Sequence, residues 1–157
     1  VFFEFREQNE VPNAFESGAG GYGYNLAYVG SQLALEDNPV QAVRRGIADT
    51  FIRDPAQTIM FADAALPQDG YLTEYSFVEP PLAVDADHPR GNPDITLSPS
   101  MHFRHYGRAN VLWADGHITA ERFGAAPAEN VYGGRNRQWN VGWFGPADDN
   151  RYFDHAR

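Results

Sequence analysis

The chain has 157 residues, which suits a single domain with a hydrophobic core of its own. It contains no cysteine, which excludes disulfide frameworks, thiolate zinc sites and cysteine nucleophiles. All twelve basic residues are arginine and the net charge is −9, so nucleic acid and anionic lipid are disfavoured as partners and calcium is the natural counter-ion.

The first residues are apolar and prone to β-structure. Val1–Phe5 is interpreted either as a strand at a sheet edge or as a segment that pairs with a neighbouring subunit by β-augmentation. In the second interpretation the subunit contacts are made by Val1, Phe2, Phe3 and Phe5. We treat residues 1–21 as an N-terminal strand and loop that could exchange between subunits, and residues 22–157 as the head of the same single domain. The chain has no run of 18 apolar residues, so no membrane span is predicted. Because it starts at Val1, we expect a processed chain or a fragment.

Two elements are predicted before residue 52. The alternation of aromatic and small residues in Tyr22–Val29 predicts a half-buried strand. Asn38 is a candidate helix cap and Pro39 suits the first helical position, so a short amphipathic helix is predicted over Pro39–Phe51. Its apolar face would consist of Val40, Val43, Ile47 and Phe51.

Two later segments share one pattern. A strand is predicted over Thr58–Ala62, and the run Ile59–Asp63 has the same pattern as Val111–Asp115: two aliphatic residues, an aromatic residue, Ala and Asp. Both are continuous apolar runs that end in a carboxylate. Such runs predict central strands that are covered on both faces. Parallel neighbours would bring the two carboxylates together, antiparallel neighbours would place them at opposite ends, and each aspartate could instead only cap its own turn.

A strand is predicted over Tyr71–Val78, and an irregular loop follows it. Calcium takes six to eight oxygen ligands, which closely spaced Asp and Asn on a glycine-bent loop can supply. A solvated surface loop is the alternative for this segment. The candidate calcium ligands around Gly91 are Asp85, Asp87, Asn92 and Asp94.

The segment from Arg104 to Phe123 predicts a β-hairpin. Ala109–Ala114 and His117–Phe123 are the strands, and Asp115-Gly116 between them predicts a two-residue type I′ turn with positive φ at both positions.

His105 and Asp115 suggest a general-base pair or a zinc site. However, an extended strand of six residues would separate them by about 20 Å. We therefore expect structural roles: His105 bonding the backbone of its own loop, and Asp115 holding its own turn. A zinc site at His102, His105 and His117 is a further alternative.

These residues carry a family resemblance. His105, nine intervening residues and Asp115-Gly116, with Trp113-Ala114 before the turn, resemble the prepilin-type processing-associated H-x(9)-DG domain of bacterial pseudopilin-like exported proteins. Further matches are Gly23-Tyr24-Asn25, Tyr28-Val29-Gly30, Asp54-Pro55, Phe61-Ala62-Asp63 and Gly142-Trp143-Phe144. Family members usually begin with a cleavable leader and a long apolar helix, which this sequence lacks.

The resemblance implies an α+β fold, a mostly antiparallel β-sheet head with one or two short helices and long loops. It also implies calcium in a C-terminal loop, where the candidates are Asp148, Asp149, Asn150 and Asp154; otherwise these acids should face water.

The expected function is a structural subunit of an extracellular or cell-surface homopolymer (a filament, tube or layer) that calcium stabilises, and not an enzyme. Arginine guanidinium groups, which pair with carboxylates through two parallel hydrogen bonds, would suit the contacts between subunits. The alternatives are a metal-dependent extracellular hydrolase that uses Asp63, Asp115 and nearby histidines, and a monomeric carbohydrate-binding module with a surface glycan as partner.

Overall fold

The computed structural model describes residues 21–68 and 71–156. These residues form the predicted α+β fold: the strands pair mostly in antiparallel fashion, and the helices are single turns. The N-terminal segment with Val1, Phe2, Phe3 and Phe5 lies outside the described residues.

A four-stranded antiparallel sheet is the centre of the fold, with strand order β1-β2-β6-β7. Two smaller sheets, β3-β4 and β5-β8, complete the strand pairing. The strands are β1 (Tyr22–Tyr24), β2 (Ile59–Asp63), β3 (Leu66–Gln68), β4 (Tyr71–Thr73), β5 (Met101–His102), β6 (Arg108–Trp113), β7 (Ile118–Arg122) and β8 (Val141–Gly142).

The two strands that share a pattern are neighbours in the centre of this sheet. β2 and β6 run antiparallel, with Ala62 opposite Val111, so Asp63 and Asp115 follow opposite ends of the pair. The prediction that both faces are covered is wrong. Buried residues alternate with partly exposed ones along β6, and Phe61 on β2 is 38% exposed, because the core packs against one face only.

The predicted helix is much shorter than its apolar pattern suggested. Asn38 does cap it and Pro39 does begin it, but the α-helix α1 covers only Pro39–Ala42, with a separate 3₁₀ turn at Asp49–Phe51. Ile47 donates its backbone N–H to the carbonyl of Val29 (2.9 Å), a tertiary bond that takes the place of a helical one. Val40, Val43 and Phe51 are consequently exposed.

Two predicted strands are also shorter in the structure. The strand predicted over Tyr22–Val29 ends at Tyr24, and a single π-helical turn follows at Leu26–Gly30. Buried Asn25 causes this break: its Oδ1 accepts from the N–H of Tyr28 (3.3 Å), while its Nδ2 donates to the carbonyls of Ile59 and Phe153, both at 2.9 Å. The strand predicted over Tyr71–Val78 is limited to Tyr71–Thr73.

The β6–β7 hairpin is confirmed, but its predicted turn type is wrong. The Gly116 N–H donates to the Trp113 carbonyl (2.9 Å) and the Trp113 N–H donates to the His117 carbonyl (3.0 Å), which closes a three-residue loop. Gly116 has φ of 91°, whereas Asp115 does not have positive φ. Ala114 and Asp115 are therefore the central residues of a type I turn and Gly116 is the left-handed bulge residue that follows it, the usual geometry of three-residue hairpin loops.

Gly116→Val should lower the melting temperature by several degrees. No atom lies within 4 Å of a Cβ added at Gly116, so the cost comes from backbone strain alone, about 1–2 kcal/mol for a β-branched residue at positive φ. Gly116→Asn is the matched control, because asparagine tolerates left-handed φ and should lose clearly less. Calorimetry of both variants measures this, and an unchanged melt for the valine variant would contradict the turn geometry.

Candidate functional site

A buried carboxylate lies at the end of β2 and joins three segments. Asp63 is 1% exposed. Its Oδ2 accepts from the backbone N–H of Asn110 on β6 (2.7 Å) and lies 3.2 Å from Nε2 of His105. Its Oδ1 lies 3.3 Å from Nε of Arg104. A carboxyl group at this depth needs charged and hydrogen-bonding partners of this kind. We call Asp63, Arg104 and His105 the Asp63 cluster.

Arg104 extends this cluster to the first strand. Its Nη2 donates to the carbonyl of Ala64 (3.2 Å) and to the carbonyl of Gly21. A Cβ at Gly21 would lie 2.5 Å from Nη1 of Arg104, and the φ of Gly21 is 75°, so glycine is required there on both counts. One guanidinium thus connects the entrance of β1, the end of β2 and the segment that precedes β6.

The turn that presents His105 has the geometry that had been predicted for Asp115-Gly116. The backbone groups of His105 and Arg108 bond to each other in both directions (3.0 and 3.1 Å). Between them, Tyr106 has φ of 54° and Gly107 has φ of 78°. Positive φ at both central positions is the mark of a type I′ turn. It leaves the side chain of Tyr106 fully exposed to solvent.

His105 differs from its predicted role. Its backbone closes the local turn, but its ring is directed at the Asp63 carboxylate rather than at local backbone, and half of the side chain remains exposed. The physical reason is the buried charge of Asp63, which attracts the nearest polar ring. His105 and Arg104 therefore tie the β5–β6 connection to β2.

Asp115 occupies the opposite end of β6, as the strand length predicted. Its Oδ1 accepts from the backbone N–H of His117 (3.0 Å) and lies 2.5 Å from Nδ1 of the same residue. These hydrogen bonds, the backbone one first, lower the pKa of Asp115. The ring of His117 in turn stacks on Trp113 at 5.6 Å. Asp115 therefore holds its own turn, as predicted, and does not meet His105.

The three candidate zinc histidines do not converge. His117 is at the Asp115 end of the hairpin, whereas His102 is buried on β5 near the Asp63 cluster. Burial, and then the charges of Arg104 and His105, lower the pKa of His102 to about 4. Across residues 21–68 and 71–156, no group of three or more His, Asp or Glu side chains is arranged to hold a metal ion.

The predicted calcium loop is stabilised by its own side chains. Oδ1 of Asp85 lies 2.9 Å from Nδ1 of His88 and also accepts from the backbone N–H of His88 (2.7 Å). The side-chain contact, and then the backbone bond, lower the pKa of Asp85. Oδ1 of Asn92 accepts from the N–H of Asp94 (3.0 Å). Asp85, Asp87 and Asp94 are exposed and Asn92 is buried. Calcium binding by this loop stays a prediction.

The C-terminal oxygen-rich residues have separate surroundings. Buried Asn150 accepts from the N–H of Leu82 and donates to the Leu82 carbonyl and the Tyr28 hydroxyl, each at 2.8 Å. Asp154 is 3% exposed and accepts from the N–H of Ala156 (2.8 Å), so the expectation that this aspartate faces water is wrong. Its backbone N–H bonds to the Asn150 carbonyl, which draws it inward. Asp149 pairs with Arg151 (2.5 Å).

Sequence reasoning did not find that Asp63 and Arg104 act together. The available signal was the position of Asp63 directly after an apolar central strand, since a carboxylate there is either a turn cap or a buried charge. Nothing in the spacing indicates which arginine pairs with it.

No protein-family model matches this chain, and no curated protein or solved structure shows a match to it. The resemblance to the H-x(9)-DG family therefore stays a prediction that depends on the motif residues. In the part of the chain that the structure describes, the helices fall short of the length and apolar character needed to cross a bilayer.

His102 should make the protein less stable in mild acid. Its pKa is about 4 in the fold and about 6.5 in the unfolded chain, so both states are mostly neutral at pH 7 and the residue has little effect on stability there. Between pH 6.5 and pH 4 the unfolded state binds a proton that the folded state does not. The free energy of unfolding then falls by up to about 3 kcal/mol from this residue.

Urea denaturation of wild type and His102→Gln at pH 7, 6, 5 and 4 measures this effect. The variant should lose less stability than wild type between pH 7 and pH 4. Parallel losses in the two proteins would contradict the assignment of this acid sensitivity to His102.

Proposed function

We propose that this chain is a structural subunit of an extracellular or cell-surface homopolymer, a filament, tube or layer that calcium strengthens. The observation that carries the proposal is the outer edge of β7. In the sheet order β7 is an end strand, and no strand of the described residues pairs with its outer side.

The geometry of the hairpin shows which groups this edge offers. Because Trp113 and His117 form a bonded pair, alternation along an antiparallel ladder turns the backbone groups of Ile118, Ala120 and Arg122 outward. The Ala120 carbonyl is bonded by the Arg108 guanidinium (2.7 Å). The remaining outward groups, beside an Ile118 side chain that is 68% exposed, suit pairing with a strand of another subunit.

The proposed donor is the N-terminal segment with Val1, Phe2, Phe3 and Phe5, which is apolar and β-prone in sequence. A segment that adds a strand to an edge gains main-chain hydrogen bonds and buries its alternate side chains. A head that is cross-linked internally by the Asp63 cluster suits this role, since a stiff subunit loses little freedom on assembly.

One arrangement that would support the hydrolase alternative, with Asp63 and Asp115 side by side, does not occur. Asp63 and Asp115 follow opposite ends of an antiparallel pair, so they do not form the carboxylate pair that this hypothesis invoked.

The carbohydrate-binding alternative gains one supporting observation. Tyr106 is fully exposed in a strained left-handed conformation, and an aromatic ring presented in this way can stack on a sugar. A glycan array probed with wild type and Tyr106→Ala tests this second candidate.

Ile118→Lys should abolish ordered assembly, because a charged side chain on an open sheet edge opposes strand pairing. Negative-stain microscopy of the purified chain should show ordered polymers for wild type and dispersed particles for the variant. Leu35→Lys is the matched control, since Leu35 is also exposed (59%) but lies outside the strands. Deletion of Val1–Phe5 should reproduce the loss of assembly.

The wild-type polymers should loosen in EGTA if calcium strengthens them. Polymers that form equally well with Ile118→Lys would remove the β7 edge from the proposal. A wild-type chain that stays monomeric with and without calcium would overturn the homopolymer itself.

A further inference from the structure

A cleft formed by residues other than the Asp63 cluster is lined by two arginines and one glutamate. It has a volume of about 580 Å³ and lies between segments 126–129 and 135–138. This volume is in the range of ligand-binding clefts in proteins. Arg135 and Arg137 line one wall and Glu129 lies on the other. We call it the arginine cleft.

Buried asparagines hold the two walls of this cleft together. Asn136, which lies between the two arginines in sequence, is fully buried, and its Nδ2 donates to the carbonyls of Pro127 and Glu129, both at 3.1 Å. Its Oδ1 accepts from Nδ2 of Asn130 (2.9 Å), which also donates to the carbonyl of Pro99 (3.0 Å). The backbone that carries both arginines is therefore fixed before any ligand arrives, which lowers the entropy cost of binding.

The two guanidinium groups are held differently. Arg137 lies over the ring of Phe123, 5.1 Å from its centroid, in a cation–π contact that positions the charge. Nε of Arg135 lies 3.5 Å from Oε1 of Glu129, and both side chains are mostly exposed. A loose exposed pair of this kind contributes little, so an incoming carboxylate can share or replace it.

We propose that the arginine cleft binds the exposed carboxylates of the acidic loop, residues 85–94, of a second copy of this chain. This inference rests on the proposed function, since it describes an interface between subunits of the homopolymer. Charge complementarity supports it: the chain carries a net charge of −9, and the loop presents Asp85, Asp87 and Asp94 against the single cation of Arg90. The bonds from His88 to Asp85 stiffen the loop, so it is ordered before contact.

A peptide titration tests the cleft independently of assembly. The probe is a synthetic peptide of residues 84–96, added to the full-length Ile118→Lys chain and followed by amide chemical shifts. We expect saturable shifts in residues 126–138 that weaken as salt rises. The matched control peptide has asparagine in place of all three aspartates and should bind at least several-fold more weakly.

Two variants should change the affinity in opposite directions. Arg137→Gln should weaken binding by about 2- to 5-fold, the size of one exposed charge pair. Glu129→Gln should strengthen it, because it removes the carboxylate that competes for Arg135. Arg44→Gln, at an exposed position after α1 and outside both the cleft and the β7 edge, is the control and should leave the affinity unchanged.

The outcomes separate this inference from the function on which it rests. Shifts outside residues 126–138, equal binding of the asparagine peptide, or no change with Arg137→Gln would each overturn the cleft assignment, even where wild type forms polymers. Peptide binding with the predicted charge dependence by a chain that never polymerises would support the carboxylate site and overturn the homopolymer.

Discussion

The central sheet depends on the contacts of one buried side chain, the carboxylate of Asp63. The Asp63 carboxylate is almost fully removed from water, and leaving a buried charge without a partner costs about 3–5 kcal/mol, a large part of a domain stability of about 5–15 kcal/mol. Its partners, Arg104, His105 and the amide of Asn110, all come from the short segment that leads into and begins β6. These contacts fix where the hairpin starts against β2, and the guanidinium of Arg104 also contacts the residue before β1.

The motif residues lie at the two ends of β6 and make different contacts there. At one end His105 contacts Asp63, and at the other Asp115 and Gly116 close the loop to β7. At each end a histidine contacts a carboxylate, which belongs to the neighbouring strand for His105 and to its own turn for His117. Because both ends of β6 are held by these contacts, the backbone of the β6–β7 hairpin is rigid. The proposed subunit contacts need this rigid outer edge of β7.

Local features were predictable, and features set by distant partners were not. The β6–β7 strands, the Asn38 cap and the role of Asp115 follow from nearby residues, and all three are confirmed. The predicted helix was too long beyond Ala42, because the backbone N–H of Ile47 donates to the distant carbonyl of Val29. Asp-Gly is compatible with two turn types, so its geometry could not be decided from the pair alone. The Asp63 cluster required knowledge of which strands pair, since its members lie far apart in sequence.

The most direct test of this account is the coupling free energy between His105 and Asp63, measured by urea denaturation of Asp63→Asn, His105→Gln and the double variant at neutral pH. Residues that share a buried network couple by about 0.5–3 kcal/mol. The account predicts a value in that range for this pair, and a value near zero for His105 with Asp115, measured in the same way with Asp115→Asn. A negligible coupling to Asp63, or a larger coupling of His105 to Asp115, would contradict it.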